Sequence, residues 1–149
     1  MKAPRMAVLL ALSLLAGCTS FAGVKPLFPE VGNPNFPAAI DTLRPTFEWQ
    51  AVAGAQSYDL IVYEGIKEES FWEGTKRAVG REVYYREALP TTRHTIEQDL
   101  APGTEYYWSV RVRKGGEVSE WSVYDYTLFL GTAYMHAGNR FFVFHTPDK

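Results

Sequence analysis

Residues 100–112 read LAPGTEYYWSVRV, and this stretch decides the fold. Pro102 and Gly103 are typical of a tight turn, because proline fixes its own φ and glycine accepts left-handed φ at little cost. Beyond the turn, apolar and polar side chains alternate, and this period of two predicts a strand with one buried face. The inward set is Tyr106, Trp108, Val110 and Val112. The opposite set is Tyr107, Ser109, Arg111 and Arg113.

Similar alternation recurs on both sides of this strand, and no stretch carries the i, i+3, i+4 spacing of an amphipathic helix. The remaining predicted strands contain Phe47 with Trp49, Tyr58 with Leu60 and Val62, Val83 with Tyr85, Thr92 with His94 and Ile96, and residues 141–146. Residues 114–117, Lys-Gly-Gly-Glu, indicate a hairpin after the central strand. The sequence therefore predicts an all-β domain.

These segments, in this order, resemble a fibronectin type III domain over most of residues 37–147. Trp49 corresponds to the tryptophan of strand B in that family, and residues 100–110 correspond to the corner between strands E and F and to strand F itself. The resemblance implies a single antiparallel β-sandwich of the immunoglobulin-like kind. It also implies that Tyr106 is buried and that its hydroxyl bonds back to the turn backbone near residues 100–102.

The chain departs from the family in two insertions, at about residues 64–81 and 123–140. The first predicts a long loop between strands C and C′. The second alternates through Tyr124, Tyr126, Leu128 and Leu130, so it is either an extra strand with residues 131–138 as its return loop or a bulging loop.

Residues 119–122, Ser-Glu-Trp-Ser, resemble half of the WSxWS element of cytokine-receptor domains. Arg111 and Arg113 share one face of the predicted strand, about 7 Å apart by the strand rise. We therefore expect Trp121 to stack on Arg111, Arg113 or both, as a local stabiliser of this edge.

The first 17 residues have the organisation of a secretion signal. Lys2 and Arg5 precede an apolar run that is too short to span a bilayer, and Leu15, Ala16 and Gly17 lead into Cys18. This string matches the lipobox of bacterial lipoproteins, so residues 1–17 are predicted to be removed and Cys18 to carry the lipid. Because Cys18 is the only cysteine, no internal disulfide can form.

The lipoprotein resemblance implies fatty-acyl (palmitate) modification and stable membrane attachment. Thr19, in place of aspartate, favours the outer membrane under the enterobacterial sorting rule. We thus expect a cell-envelope protein that faces the periplasm. Residues 18–36, which contain Pro26, Pro29 and Pro34, predict a flexible tether between the lipid and the domain.

Several function classes find no support in the sequence. The chain has a formal net charge of −2 and scattered basic residues, which argues against nucleic-acid binding. It lacks the GxSxG, HExxH and CxxC motifs and any glycine-rich phosphate loop. His94, His136 and His145 are widely spaced, so no metal site, cofactor or catalytic residue is predicted. His94 shares the parity of Ile96 and is expected at an inward or sheet-edge position.

Aromatic side chains in the two insertions are the candidates for binding a ligand or a partner. These residues are Phe71, Trp72, Tyr134 and His136, and Met135 lies among them. Loops of sandwich domains often bind partners, although the same side chains can instead plug a loop against its sheet. The sequence favours a non-enzymatic binding or assembly module whose partner is an envelope protein or a cell-wall glycan. A structural subunit of an envelope or secretion complex is the alternative, and an envelope hydrolase is a weaker one.

Overall fold

β-strands make up all the regular secondary structure in the residues that the structure, a computed structural model, describes: 18–31, 37–71, 74–129 and 134–149. None of them belongs to a helix with the length and apolarity needed to cross a membrane. The strands are β1 (Cys18–Ala22), β2 (Pro26–Phe28), β3 (Ala38–Ala39), β4 (Thr46–Trp49), β5 (Ser57–Ser70), β6 (Gly74–Leu89), β7 (Arg93–Thr95), β8 (Glu105–Lys114), β9 (Glu117–Val118), β10 (Val123–Phe129), β11 (Tyr134–Arg140) and β12 (Phe142–His145). The all-β prediction is confirmed.

Two of the sheets pack face to face as a sandwich. One has the order β3-β12-β8-β5-β6, with β9 paired to β8, and the other has the order β2-β4-β7. Phe47 joins them, because its ring lies 4.9 Å from the ring of Trp108 and 5.8 Å from that of Phe144, centroid to centroid. The predicted sandwich architecture is therefore confirmed.

Strand β8 supplies the centre of the core, as its alternation predicts. The inward side chains Tyr106, Trp108, Val110 and Val112 are 7% exposed or less. The opposite face differs from the prediction, since Tyr107 and Ser109 on it are also buried. The chain after β9 covers this face, and the Ser109 hydroxyl donates a 2.6 Å hydrogen bond to the Ser122 carbonyl.

The turn before β8 has the geometry expected from the fibronectin resemblance. Tyr106 is 3% exposed, and its hydroxyl oxygen accepts a 2.9 Å hydrogen bond from the Ala101 N–H. Leu100 is buried beneath the turn. Gly103 has a φ of +59°, a conformation that side chains with a Cβ rarely adopt.

The third sheet has the order β1-β10-β11 and corrects the prediction of a flexible tether over residues 18–36. Strand β1 pairs with β10, and β2 pairs with β4 in the sandwich. Between them Val24 is buried, and its N–H donates a 2.7 Å hydrogen bond to Ser122 Oγ. Residues 18–31 are thus part of the domain, because β1 supplies an outer strand and Val24 fills the core. Residues 32–36 lie outside the described residues.

Both insertions form hairpins and not loops. Strands β5 and β6 stay paired as far as Ser70 opposite Gly74, so the predicted loop over residues 64–81 is a two-stranded ribbon. In the second insertion, β10 pairs with β11 from Tyr124 opposite Arg140 to Phe129 opposite Tyr134. The extra strand is therefore present, but residues 134–138 belong to a second strand and not to a return loop.

Candidate functional site

The β1-β10-β11 sheet brings together three of the residues singled out in the sequence. Cys18 is the first residue of β1 and lies opposite Thr127, which in turn lies opposite His136. Tyr134 lies opposite Phe129 near the end of the same hairpin. Cys18, Tyr134 and His136 therefore share one end of one sheet.

Phe71 is separate from that group, because it follows β5 at the end of the ribbon, in the other insertion. Its side chain is 92% exposed. Trp72 lies outside the described residues. The predicted set of aromatic residues is thus divided between two hairpins.

A groove of about 360 Å³ lies where these two hairpins approach each other near their bases. Strand β6 contributes residues 76–79, β8 contributes Tyr107, and the β10–β11 hairpin with the residue after it contributes Val123, Arg140 and Phe141. Neighbouring side chains of a strand point to opposite faces. Four consecutive residues of β6 line the groove, so side chains of both parities contribute to this side of it.

A partly buried set of polar contacts determines the electrostatics of the groove. Tyr107 donates a 2.9 Å hydrogen bond to Glu105 Oε1, and the other carboxylate oxygen lies 3.3 Å from Arg77 Nε. Burial raises the pKa of Tyr107, and the bond to Glu105 raises it further, so this phenol stays neutral. Glu105 thereby holds the Arg77 guanidinium at the groove. Lys76 and Arg140 add two more cationic side chains to the lining.

The rest of the groove is apolar. Val79 is 43% exposed, and Ala78 and Val123 lie beside it. The ring of Phe141 is stacked on Tyr63 at 5.7 Å between centroids, which fixes its position. The groove can therefore hold a ligand that combines negative charge with apolar groups.

Sequence reasoning did not predict Arg77, Tyr107 or Arg140 as functional residues. The alternation places Tyr107 only on the outward face of its strand, and the two arginines lie in different insertions. The only indication of the groove in the sequence is the presence of the two insertions. No residue within either insertion indicates that the two approach each other in the fold.

A second polar cluster joins Tyr84, His94 and Glu97. The Tyr84 hydroxyl donates a 2.5 Å hydrogen bond to Glu97. The Tyr84 hydroxyl oxygen also lies 2.5 Å from His94 Nε2. Because the single hydroxyl hydrogen is directed at Glu97, His94 Nε2 must carry the hydrogen of the second bond. Burial raises the pKa of Tyr84, with a further rise from Glu97, and burial lowers the pKa of His94. Tyr84 and His94 are therefore uncharged at neutral pH. The hydrogen bonds of this cluster connect β6 to β7 and to the chain that follows β7. The side chain of His94 is 16% exposed, as its parity predicts.

The outer face of β8 carries the stacking predicted for Trp121. Arg111 Cζ lies 4.4 Å from the centroid of the Trp121 ring. Arg113 instead pairs with Asp59 and Glu87. Asp59 is fully buried and also binds Arg111. Trp121 and these charges stabilise the sheet.

No group of three or more histidine, cysteine or acidic residues in the described part of the chain is arranged to hold a metal ion.

The family model described as Rha78A-like, N-terminal immunoglobulin domain, matches residues 30–128. The chain belongs to this family. The immunoglobulin-like match spans β3 to β9 and nearly all of β10, and it includes the β5–β6 ribbon. It ends before β11, so the Rha78A-like match covers the β6 and β8 sides of the groove but not Arg140 or Phe141. No curated protein and no solved structure matches the chain significantly.

Proposed function

We propose that the protein is a lipid-anchored, non-enzymatic binding or assembly module of a bacterial cell envelope. The observation that carries this proposal is the string Leu15, Ala16, Gly17 and Cys18 after a short apolar run, because this order of residues is what a lipoprotein peptidase recognises. Cys18 is the only thiol of the chain, so it cannot form an internal disulfide. Acylation would give this thiol a role.

The surroundings of Cys18 are compatible with a membrane surface. Cys18 begins β1 at the end of the sheet where the β10–β11 hairpin turns. Leu128, Phe129, Tyr134 and Met135 occupy that end of the hairpin. Thr19 in the second mature position favours the periplasmic face of the outer membrane.

Binding is favoured over catalysis because the polar clusters are occupied by their own partners. Tyr84 and His94 are bonded to each other and to Glu97, and Asp59 is held between two guanidinium groups. A nucleophile or a general base needs a free reactive atom directed at a cleft. The groove, in contrast, combines open space with cations and apolar side chains, which is a recognition surface.

A structural subunit of an envelope or secretion complex is the second candidate function. It is supported by the sheet edges, since β6 and β11 each end their sheets in the described part of the chain. Exposed strand edges are used for pairing with other chains.

Acyl labelling tests the anchor. Cells that express the full chain are grown with a radiolabelled fatty acid, and the protein is recovered from membrane and soluble fractions. We expect label in the wild type and in Ser20→Ala, and none in Cys18→Ser, which should stay unprocessed or leave the membrane. Label in Cys18→Ser, or no label in the wild type, would show that the anchor is wrongly assigned.

A further inference from the structure

A second cavity, of about 690 Å³, lies beside the turn between β8 and β9. Its apolar lining comes from separate segments, since Val24 precedes β2, Val52 follows β4, Val112 belongs to β8 and Val118 to β9. Val24 and Val112 are buried, whereas Val118 is 43% exposed. The volume is within the range of about 300–1,000 Å³ that is typical of small-molecule sites. The valines therefore offer an apolar surface to an aliphatic group of a small ligand.

Lys114 supplies a positioned positive charge to this cavity. Its aliphatic chain lies on the backbone of Gly54, because a Cβ at that glycine would come within 2.9 Å of Lys114 Cε. The ammonium donates a 2.9 Å hydrogen bond to the Ala53 carbonyl. This neutral carbonyl takes one of the three N–H donors and leaves the charge uncompensated. No acidic group pairs with Lys114 among the residues that the structure describes.

Glu117 lines the same cavity with a negative charge. It lies directly opposite Lys114 in the β8–β9 ladder, a position in which oppositely charged side chains commonly pair. The Lys114 ammonium is held at Ala53 instead, and Glu117 makes no hydrogen bond or ion pair through its side chain within the described part of the chain. The cavity thus carries two opposite charges that do not neutralise each other. A ligand that itself carries both charges complements them.

Hydrogen bonds around the cavity fix its shape without using either charge. The Gly115 N–H donates a 3.1 Å hydrogen bond to Gln56 Oε1. The Ser119 hydroxyl accepts a 3.0 Å hydrogen bond from the Val112 N–H and donates a 2.9 Å one to the Glu120 carbonyl. The cavity is therefore held in place before any ligand binds, which lowers the cost of binding.

We propose that this cavity binds a short aliphatic peptide with free termini. The peptide carboxylate meets Lys114, its ammonium meets Glu117, and an aliphatic side chain contacts the valines. A phospholipid with an ethanolamine headgroup carries the same two charges, but an apolar lining of four valines suits one aliphatic side chain better than two acyl chains. The cavity shares no lining residue with the groove, and the proposal does not depend on the lipid anchor.

A tripeptide tests this assignment on the purified, isotope-labelled full chain in a nonionic detergent. The probe is Ala-Val-Val with free termini, and binding is followed by nuclear magnetic resonance through the amide signals of Gly23 and Gly115, which both line the cavity. We expect shifts that saturate as the peptide is added. Triglycine has the same termini without an aliphatic side chain, so it should bind about tenfold more weakly or not at all.

Two variants test the charges separately. Lys114→Met keeps the aliphatic stem and removes the ammonium, and Glu117→Gln keeps the shape and removes the carboxylate. Each should weaken binding of Ala-Val-Val about fivefold. The peptide with an amidated C-terminus lacks the carboxylate, so Lys114→Met should not weaken its binding further. Glu117→Gln should likewise leave binding of the N-acetylated peptide unchanged.

Lys25→Met and Glu120→Gln are the matched controls. Both side chains belong to exposed residues close in sequence to lining residues, but neither lines the cavity. These variants should bind Ala-Val-Val as the wild type does. The dispersion of the core amide signals in the same spectra shows whether each variant is folded.

Four results would overturn the proposal. These are Ala-Val-Val without saturable shifts at the cavity, equal binding of triglycine, losses in the control variants equal to those at Lys114 and Glu117, and losses that persist with the blocked peptides. Binding of dihexanoyl phosphatidylethanolamine in place of the peptide would assign the cavity to a lipid headgroup instead. All these variants retain Cys18, so a failure of peptide binding with normal acyl labelling would contradict the cavity assignment and leave the lipid anchor standing.

Discussion

The hydroxyl of Tyr106 shows how one atom fixes the turn ahead of the central strand. It accepts the Ala101 N–H at 2.9 Å, while the tyrosine ring itself is buried in the core. Burial raises the pKa of the phenol, although the bond from Ala101 opposes this, so the group stays neutral over the physiological range. The tyrosine thus ties the chain leaving β7 to the strand that leads into the sheet.

Tyr106→Phe should lower the free energy of unfolding by about 1 kcal/mol or more, because the partly buried Ala101 N–H is left without its acceptor. A chemical denaturation midpoint measures the loss. Tyr85→Phe is the control, since that hydroxyl contacts arginine side chains, Arg111 at 3.4 Å and also Arg113, and accepts no backbone N–H in a turn; it should change the midpoint less. An unchanged midpoint in Tyr106→Phe would mean that the turn is held by other contacts.

The N-terminal strands differ most from what their sequence suggests. Residues 18–31 show no sustained periodicity and contain two prolines, a composition typical of linkers. Edge strands accept proline, however, because one side of such a strand needs no N–H donor. Strand β2 begins at Pro26 on the outside of the β2-β4-β7 sheet. The buried Val24 between β1 and β2 then connects the two sheets that these strands join.

Ser122→Ala should loosen this N-terminal connection. The Val24 N–H would lose its 2.7 Å acceptor in a buried position, at a cost of about 1–3 kcal/mol. Hydrogen exchange should accelerate at residues 18–24 more than in β8. Thr91→Ala is the control, because that hydroxyl bonds only to a nearby carbonyl in an exposed turn. If residues 18–24 exchange at the rate of an unstructured peptide in the wild type, strand β1 is wrongly placed.

Asp59 connects three neighbouring strands on the outer face of the larger sheet. This carboxylate on β5 is fully buried, and it receives hydrogen bonds from Arg111, Arg113 and the Ala88 N–H, which join β8 and β6 to it. Burial alone would raise the pKa of Asp59. The bonds from Arg113, Ala88 and Arg111 outweigh that effect and hold its pKa below the ordinary value of 3.8.

The lowered pKa predicts acid sensitivity. Its contribution to stability is present above the unfolded-state pKa of about 3.9 and is lost as the pH falls through the lower pKa of the folded state. Asp59→Asn should flatten this part of the stability profile and cost about 3 kcal/mol at neutral pH. Thermal melts between pH 2 and pH 7 measure both effects. Asp99→Asn, from an exposed pair with Arg44, should change little, and an equal loss there would contradict the central role of Asp59.

The sandwich could be predicted from the sequence because its signals are local. The turn at Pro102 and Gly103, the alternation of β8 and the partnership of Trp121 with Arg111 all involve residues close along the chain or on adjacent strands. The groove could not be predicted in this way. Arg77 and Arg140 lie in separate insertions, and only the folded hairpins bring them to one cavity. The alternation of β8 places Ser109 on the outward face. A polar residue at that position does not indicate that residues further along the chain will cover it.

The direction of β1 has a mechanical consequence. Cys18 lies opposite Thr127 and Ala22 opposite Val123, so the strand runs from the hairpin end toward the groove. A force between Cys18 and Val123 would act along the strand, parallel to β10. Such a force acts on all the hydrogen bonds between β1 and β10 at once and does not break them one after another from an end. The direction of β1 therefore makes its pairing with β10 resist a force applied at Cys18.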